Sequence, residues 1–442
     1  MAGEASAVVD DKGWLYHPYF PDHWKRCPLY SLAQWVNGLA FRNIQFSDSG
    51  LPVIKIAEIK GGISGQTKFT RQTFDDAVRV RYGDLLFSWS GQPETSIDAF
   101  WWRDPEGWLN QHIFRVTPTE GIDPVFFYYL LRYLKPNFVG IARNKQTTGL
   151  GHITKRDLEN LEAAYPRLPE QRAIAHILGS LDDKIELNRQ MAQTLESIAR
   201  AIFKSWFVDF DPVKAKMEGK QPEGMTEEIA ALFPDRLVDS ELGMIPEGWS
   251  PIPLSKMANF LNGLALQKYP PIGKDDLPVL KIAQLRSGKL DYDKLASNEI
   301  SDKYLVSEGD LIFSWSGSLI VDVWAGPKCA LNQHLFKVTP EKWATKGLLW
   351  VAIHEHIDNF RAIAAAKAVT MGHIKRSHLN EAMVILPSIE KVQNISGVLD
   401  ILIQRSTTLK AESNTLINLR DTLLPQLISG KIRLNQPEDA AA

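Results

Sequence analysis

Six stretches of this chain occur twice, in the same order. Pro21-Asp22-His23-Trp24 returns as Pro246-Glu247-Gly248-Trp249, and Asn37-Gly38-Leu39-Ala40 returns as Asn262-Gly263-Leu264-Ala265. LPVIKIAEI (Leu51 to Ile59) becomes LPVLKIAQL (Leu277 to Leu285), and GDLLFSWSG (Gly83 to Gly91) becomes GDLIFSWSG (Gly309 to Gly317). LNQHIFRVTP (Leu109 to Pro118) becomes LNQHLFKVTP (Leu331 to Pro340), and GHITKRDL (Gly151 to Leu158) becomes GHIKRSHL (Gly372 to Leu379). The offset drifts only from 226 residues (Leu51 to Leu277) to 221 (Gly151 to Gly372). Solenoid repeats have units of about 20–50 residues, so a period this long is a duplicated domain. At 442 residues the chain is also too long for one compact core.

The repeat divides the chain into a module over 21–168 and its copy over 246–387, with an extension at 1–20 and a tail at 431–442. Long helices are expected over 169–210 and 388–430. Between them, 211–245 is an ordered connector rich in Pro and Gly, with a short helix near Glu227 to Leu232. Within the modules, Val53 to Ile59 and Leu85 to Trp89 are short, apolar and bounded by Gly or Pro, as buried strands are. Pro124 to Leu134 and Leu348 to Ala366 fit helices. The fold class expected is α+β, with two tandem-duplicated α+β domains separated by two long helices.

Both helical stretches carry apolar residues at alternating spacings of three and four. Positions 174, 177, 181, 184, 188, 191, 195, 198 and 202 form one seam, and a shift of 218 gives a second from Val392 to Arg420, continued by Leu423 and Leu427. Polar Asn188 and Ser406 fall at the same slot. A polar residue in such a seam costs stability and fixes register, which suggests that the two helices pair with each other. About 35 helical residues span roughly 50 Å. Two related modules on a rigid spacer suit a two-part ligand, since the first contact makes the second intramolecular. Half-sites one turn apart on B-DNA lie about 34 Å from centre to centre, within that reach.

These features resemble the specificity subunit of Type I restriction–modification systems. The resemblance rests on Ile245-Pro-Glu-Gly-Trp249 opening a module, GDL(L/I)FS within it and GHI-x-x-x-x-L near its end. Pro169-Glu170-Gln171, Ser205-Trp-Phe-Val-Asp-Phe-Asp-Pro212 and Leu423-Leu-Pro-Gln-Leu-Ile-Ser-Gly430 complete it, so that it runs from about Pro21 to Gly430. It implies that each module is a target-recognition domain reading one half of a split DNA sequence. It also implies an antiparallel helical coiled coil that docks two methyltransferase subunits, with restriction subunits as further partners. The methyltransferases would bring S-adenosylmethionine and flip the target base, so the chain itself needs no cofactor or metal. Family modules usually diverge while the helices stay alike. Here the modules keep long identical strings and the helices have drifted, so related half-sites are expected.

Base edges are read by Arg, Lys, Asn, Gln, Ser and Thr, and phosphates chiefly by Lys and Arg. The first module offers Lys60, Ser64, Gln66, Lys68 and Arg71 in a Gly-rich loop; the second offers Arg286, Ser287 and Lys289. Ser90 and Ser316 follow a strand beside Trp89 and Trp315, which suit core as well as contact. Gln111 and Gln333 stand in Asn-Gln-His triplets, and their identity between copies fits either maintenance of the fold or contact with a shared feature. Basic, Gly-rich segments suit phosphate: Arg143, Lys145, Gln146, Thr147, His152 and Lys155 in the first copy, Lys367, Thr370, His373, Lys375 and Arg376 in the second.

Catalytic signatures are missing from the sequence. It has neither a P-loop nor GxGxxG, and Tyr269-Pro-Pro-Ile272 lacks the polar and aromatic ends of an adenine methyltransferase motif. His354-Glu-His356 lacks the i, i+4 spacing of a zincin. Asp48 with Glu58-Ile-Lys60 could hold Mg²⁺ in a nuclease, but the copy reads Gln284-Leu-Arg286 and has lost the carboxylate. A metal-dependent nuclease and a protein scaffold without DNA are therefore the competing functions. The net charge of −2 requires any DNA grip to be local or shared with a partner. No apolar run reaches the roughly 20 residues of a membrane helix. Cys27 and Cys329 fit a reducing cytoplasm.

Overall fold

A computed structural model describes residues 18–42, 45–145, 150–366 and 372–434. The chain forms two compact units, one of residues up to 183 with 418 onward, the other of 184–417. The α+β class holds in both, and the two four-stranded sheets of one unit match those of the other strand for strand. In the first, Ala33–Asn37, Ile113–Pro118, Leu85–Ser88 and Asp98–Trp101 form an antiparallel sheet in that order across the sheet. In the second, Ala258–Asn262, Leu335–Pro340, Leu311–Ser314 and Val321–Val323 repeat it. A smaller mixed sheet accompanies each, with Leu51–Ile54 parallel to Gly107–Leu109 and Leu277–Leu280 parallel to Cys329–Leu331.

The principal core of each unit lies where helices cover the antiparallel sheet. In the first it includes Phe87, Phe126, Phe127 and Phe138; in the second, Phe313, Leu348, Trp350 and Phe360. The alternating positions of Ala33–Asn37 and Ala258–Asn262 share one burial pattern, as expected of a strand with one wet face. Helices Pro124–Tyr133 and Lys346–Ala366 occupy the expected places. Two expectations are corrected. The LPVIKIAEI run is strand only over Leu51–Ile54 and turns into helix at Ile56–Gly61, because Glu58 accepts the Lys55 backbone N–H (3.0 Å) and caps a helix start. The connector holds a helix at Asp211–Met217 besides the short one at Glu227–Ala230.

The long helices run over Leu168–Phe203 and Ile389–Ile428. Their pairing is antiparallel. Within the first unit Asp182 bonds Arg420 (2.5 Å); within the second, Lys184 faces Glu412 (3.5 Å) and Glu196 bonds Lys410 and Ser406 (both 2.7 Å). The pairing is bolted to each module. Tyr129 donates to Asp182 (2.6 Å) in the first unit, and Lys410 reaches Asp322 (2.8 Å) in the second. Burial pushes the Asp322 carboxyl above its ordinary value, although Lys410 opposes it.

The seam in Ile389–Ile428 follows the expected positions, with Val392, Ile395, Leu399, Ser406, Leu409 and Leu427 buried. In the central helix Ile174 and Asn188 are buried at expected positions, but beyond Asn188 the seam slips by one residue. Ala192 and Ala199 are buried, whereas Met191 and Ile198 are exposed. Small side chains let backbones approach, and a reading that weights bulk places the stripe one position off. Beyond Phe203 the helix widens into a π turn (Lys204–Val208), a geometry that often marks special sites. It delivers Phe207 and Phe210 to Trp249, with ring centres 5.7 and 6.2 Å apart, so the Ser205–Pro212 motif anchors the second module's opening.

Candidate nucleic-acid interface

One polar assembly is built twice from the repeated motifs. Asn37 accepts the Trp89 indole N–H (3.0 Å), and Asn262 accepts that of Trp315 (2.9 Å). Gly38 and Gly263 let this strand end pass over the Asn110 and Asn332 carbonyls. A Cβ on either glycine would sit 2.3 or 2.2 Å from the carbonyl oxygen, closer than atoms pack. The Asn-Gln-His triplets turn there: Ile113 N–H bonds Asn110 O (3.1 Å) and Leu335 N–H bonds Asn332 O (3.0 Å). Beside each turn lies the strand end of the Gly-His motif, where His152 pairs with Ser90 and His373 bridges Ser316.

Side-chain contacts are also repeated. Gln111 Nε2 lies 3.2 Å from His112 Nε2, and Gln333 Nε2 lies 3.3 Å from His334 Nε2. Both glutamines are half-buried. Trp89 and Trp315 are half-buried too, neither core nor free surface. The copies differ at the histidine Nδ1. Ser316, itself buried, lies 3.0 Å from His334 Nδ1, whereas the His112 Nδ1 is buried and has no hydrogen-bond partner among the described residues.

The other expected residues are spread around this assembly. Lys60 lies in the last turn of the helix Ile56–Gly61; burial first, then the nearby Lys135, lowers its pKa. Ser64, Gln66 and Lys68 are exposed in a turn where Ser64 N–H donates to Thr67 (2.9 Å), and Arg71 is held by Ser49 (2.9 Å). In the second unit Arg286 and Ser287 lie in a helix (Ile282–Ser287), and Lys289 follows Gly288. Arg286 shares an open cleft of about 510 Å³ with Arg361, Gly317 and Gly372.

In the basic segments much of the charge is already paired. Arg143 bonds Glu94 (2.5 Å) and Lys145 bonds both Asp157 oxygens (2.5 Å). Burial raises the Asp157 pKa, but Lys145 and Thr154 outweigh it and hold the carboxyl below its ordinary value. Lys155 is exposed over the Tyr30 ring, Lys375 is exposed, and Arg376 donates to Phe260 O (2.9 Å). Gln146, Thr147, Lys367 and Thr370 lie outside the described residues. Sequence reasoning missed the partners Asn37 and Asn262, although the repeat of NGLA beside a repeated Trp was the signal.

The sites weighed for catalysis have structural employment. Glu58 is buried as the helix cap described above. His354 Nδ1 lies 3.1 Å from Trp350 O and His356 Nε2 lies 3.0 Å from Met383 O, so each ring faces a backbone carbonyl. Among the described residues, no three His, Cys, Asp or Glu side chains gather as a metal site. Burial pushes the Cys329 thiol up to about 12.

The family model for the Type I restriction modification DNA specificity domain matches residues 21–197 and again 246–419. The chain belongs to this family. Both matches start at the Pro-x-x-Trp motif and run into a long helix, the same unit that the repeat marks out. Among similar proteins, the Type I restriction enzyme HindI specificity subunit of Haemophilus influenzae is 25% identical, over 80% of this chain and 87% of its own length. The EcoBI specificity subunit of Escherichia coli is 23% identical over 93% and 86%. The crystal structure of a Type I restriction–modification S subunit from M. genitalium superposes with a TM-score of 0.50 at 15% identity, covering 94% of this chain and 97% of that one, which bears on the fold alone. The chain is a specificity subunit with two target-recognition domains, a non-catalytic component of a restriction–modification complex.

Proposed function

We propose that each target-recognition domain reads one half of a bipartite double-stranded DNA sequence, and that the helix pair docks two methyltransferase subunits and selects the half-site spacing. Restriction subunits would join the same complex. S-adenosylmethionine belongs to the methyltransferases, and the complex works in the cytoplasm. The observation that carries this reading is the duplicated Trp-Asn-Gln-His assembly, built by the same motifs in both domains of a specificity subunit. Exposed Lys60, Lys68, Arg71, Lys155, Arg286, Lys289, Lys375 and Arg376 supply the local positive charge that a chain of net charge −2 needs. Docking on the helices is supported by Leu187, Met191 and Ile198, which line one exposed face of the central helix at 50%, 40% and 42% exposure. Among the described residues no helix is long and apolar enough to cross a membrane.

The test is to purify the chain with its methyltransferase, map modified bases, and measure DNA affinity against salt. A split target and an affinity falling steeply with salt are expected, because phosphate contacts release counterions. Cleavage of DNA by the chain alone with Mg²⁺ would establish the nuclease instead. Salt-independent or absent binding by the complex would leave only the scaffold.

A further inference from the structure

We infer that Gln111 and Gln333 read the same base pair, an A·T pair, at the same place in each half-site. This rests on the DNA-reading function proposed above and assigns two specificity-determining residues within it. Each glutamine amide has two N–H donors and one carbonyl acceptor. The nitrogen faces a histidine ring nitrogen in both domains, 3.2 and 3.3 Å away. Since an amide nitrogen can only donate, the ring nitrogen accepts, and one N–H is spent. One N–H and the carbonyl remain, and among the described residues neither glutamine side chain has another hydrogen-bond partner. A donor beside an acceptor in one plane is what adenine requires at N7 and N6 in the major groove, where glutamine pairs bidentately.

The amide is held rather than swinging. Gln111 N–H bonds Leu39 O (2.9 Å), and the preceding Asn110 N–H bonds Ile54 O (3.0 Å), which ties the turn to both sheets. In the second domain Asn332 N–H bonds Leu280 O (3.2 Å) in the same way. His112 and His334 are positioning residues, because they decide which end of the amide points where. A purely structural role explains the turn but not a half-buried, half-satisfied amide preserved in both copies. The surrounding loops differ, Lys60 to Arg71 against Arg286 to Lys289. They can discriminate the remaining bases while the glutamines read a common one.

The experiment uses the chain with its methyltransferase and duplexes in which each pair of the wild-type target is substituted in turn. Gln333→Ala should flatten discrimination about ten- to hundred-fold at one A·T pair of one half-site, the span of one bidentate contact. Gln111→Ala should do so at the equivalent pair of the other. Gln333→Glu keeps the shape but offers only acceptors, so preference at that pair should move towards C·G, whose cytosine N4 donates. Unfolding midpoints are measured alongside, and those of the glutamate variant should stay near wild type. Loss of affinity spread evenly over all positions, or relaxation at pairs that are not A·T, overturns the inference. A wild-type complex with no sequence preference would overturn the DNA-reading function itself, so the two failures are distinct.

Discussion

His354, half-buried in the second unit, sits with its ring centre 4.0 Å from that of Trp350. Burial lowers its pKa to about 4, Arg200 and Lys410 add to that, and the Trp350 carbonyl and Glu196 oppose it. In the unfolded chain the ring titrates near its ordinary 6.5. Between those values the unfolded state binds a proton that the folded state refuses, so acidification favours unfolding. The contribution is complete above about pH 6.5 and is lost as pH falls to about 4, a change on the order of 3 kcal/mol at most. His354→Phe should flatten that acid limb in urea unfolding measured across the range; an unchanged limb would place the titration elsewhere. The residue scale is also where sequence says least. The repeated Asn-Gln-His triplet announced a site, but composition could not show that Arg143 is met by Glu94 and Lys145 by Asp157, residues 49 and 12 positions away. A charge run is visible in one segment, whereas its neutralisation depends on what the fold brings opposite.

Among elements, the long helices were the most legible, because a 3-4 apolar stripe longer than an ordinary surface helix has few other uses. Its phase was less so: Ala192 and Ala199 carry too little bulk to signal an inward face, and Met191 and Ile198 carry enough to mislead. The strand runs were legible as apolar stretches, but the change from strand to helix at Lys55 depends on the single cap made by Glu58. The polar slots were placed correctly, yet they serve different ends. Ser406 is buried and donates to Glu196 (2.7 Å). Asn188 is fully buried, and among the described residues neither of its amide atoms has a hydrogen-bond partner. An unmet buried amide costs about 1–3 kcal/mol, so Asn188→Leu should stabilise the second unit by up to that amount. The second unit's unfolding midpoint by calorimetry would rise by several degrees. A fall would mean that the amide is needed to hold register, as polar seam residues are in other coiled coils.

At the scale of the whole molecule, the two copies are completed by different parts of the chain. The second domain is closed by the chain that precedes it: Phe203, Phe207 and Phe210, where the central helix ends, enter its core, with the connector 211–245 between them and its opening Trp249. The first is closed from the far end. Leu427 and Ile428 are buried in its core with Phe20, Trp24 and Leu178, and Gly430 packs against Pro21 so closely that a Cβ would come within 2.5 Å. Arg420, 11% exposed, ties the same segment to Asp182. Deleting buried Leu or Ile side chains costs about 2–5 kcal/mol each, and a domain holds only about 5–15 kcal/mol in all. Removing residues 418–442 should therefore unfold the first domain while leaving the second, whose unit ends at Ile417, folded. In hydrogen exchange, the amides of Pro124–Tyr133 would lose protection and those of Lys346–Ala366 would keep it. A peptide of residues 418–442 added in trans would restore the first set. Equal protection in both helices without the peptide would mean that the first domain is self-sufficient, and that its core does not depend on the chain's far end.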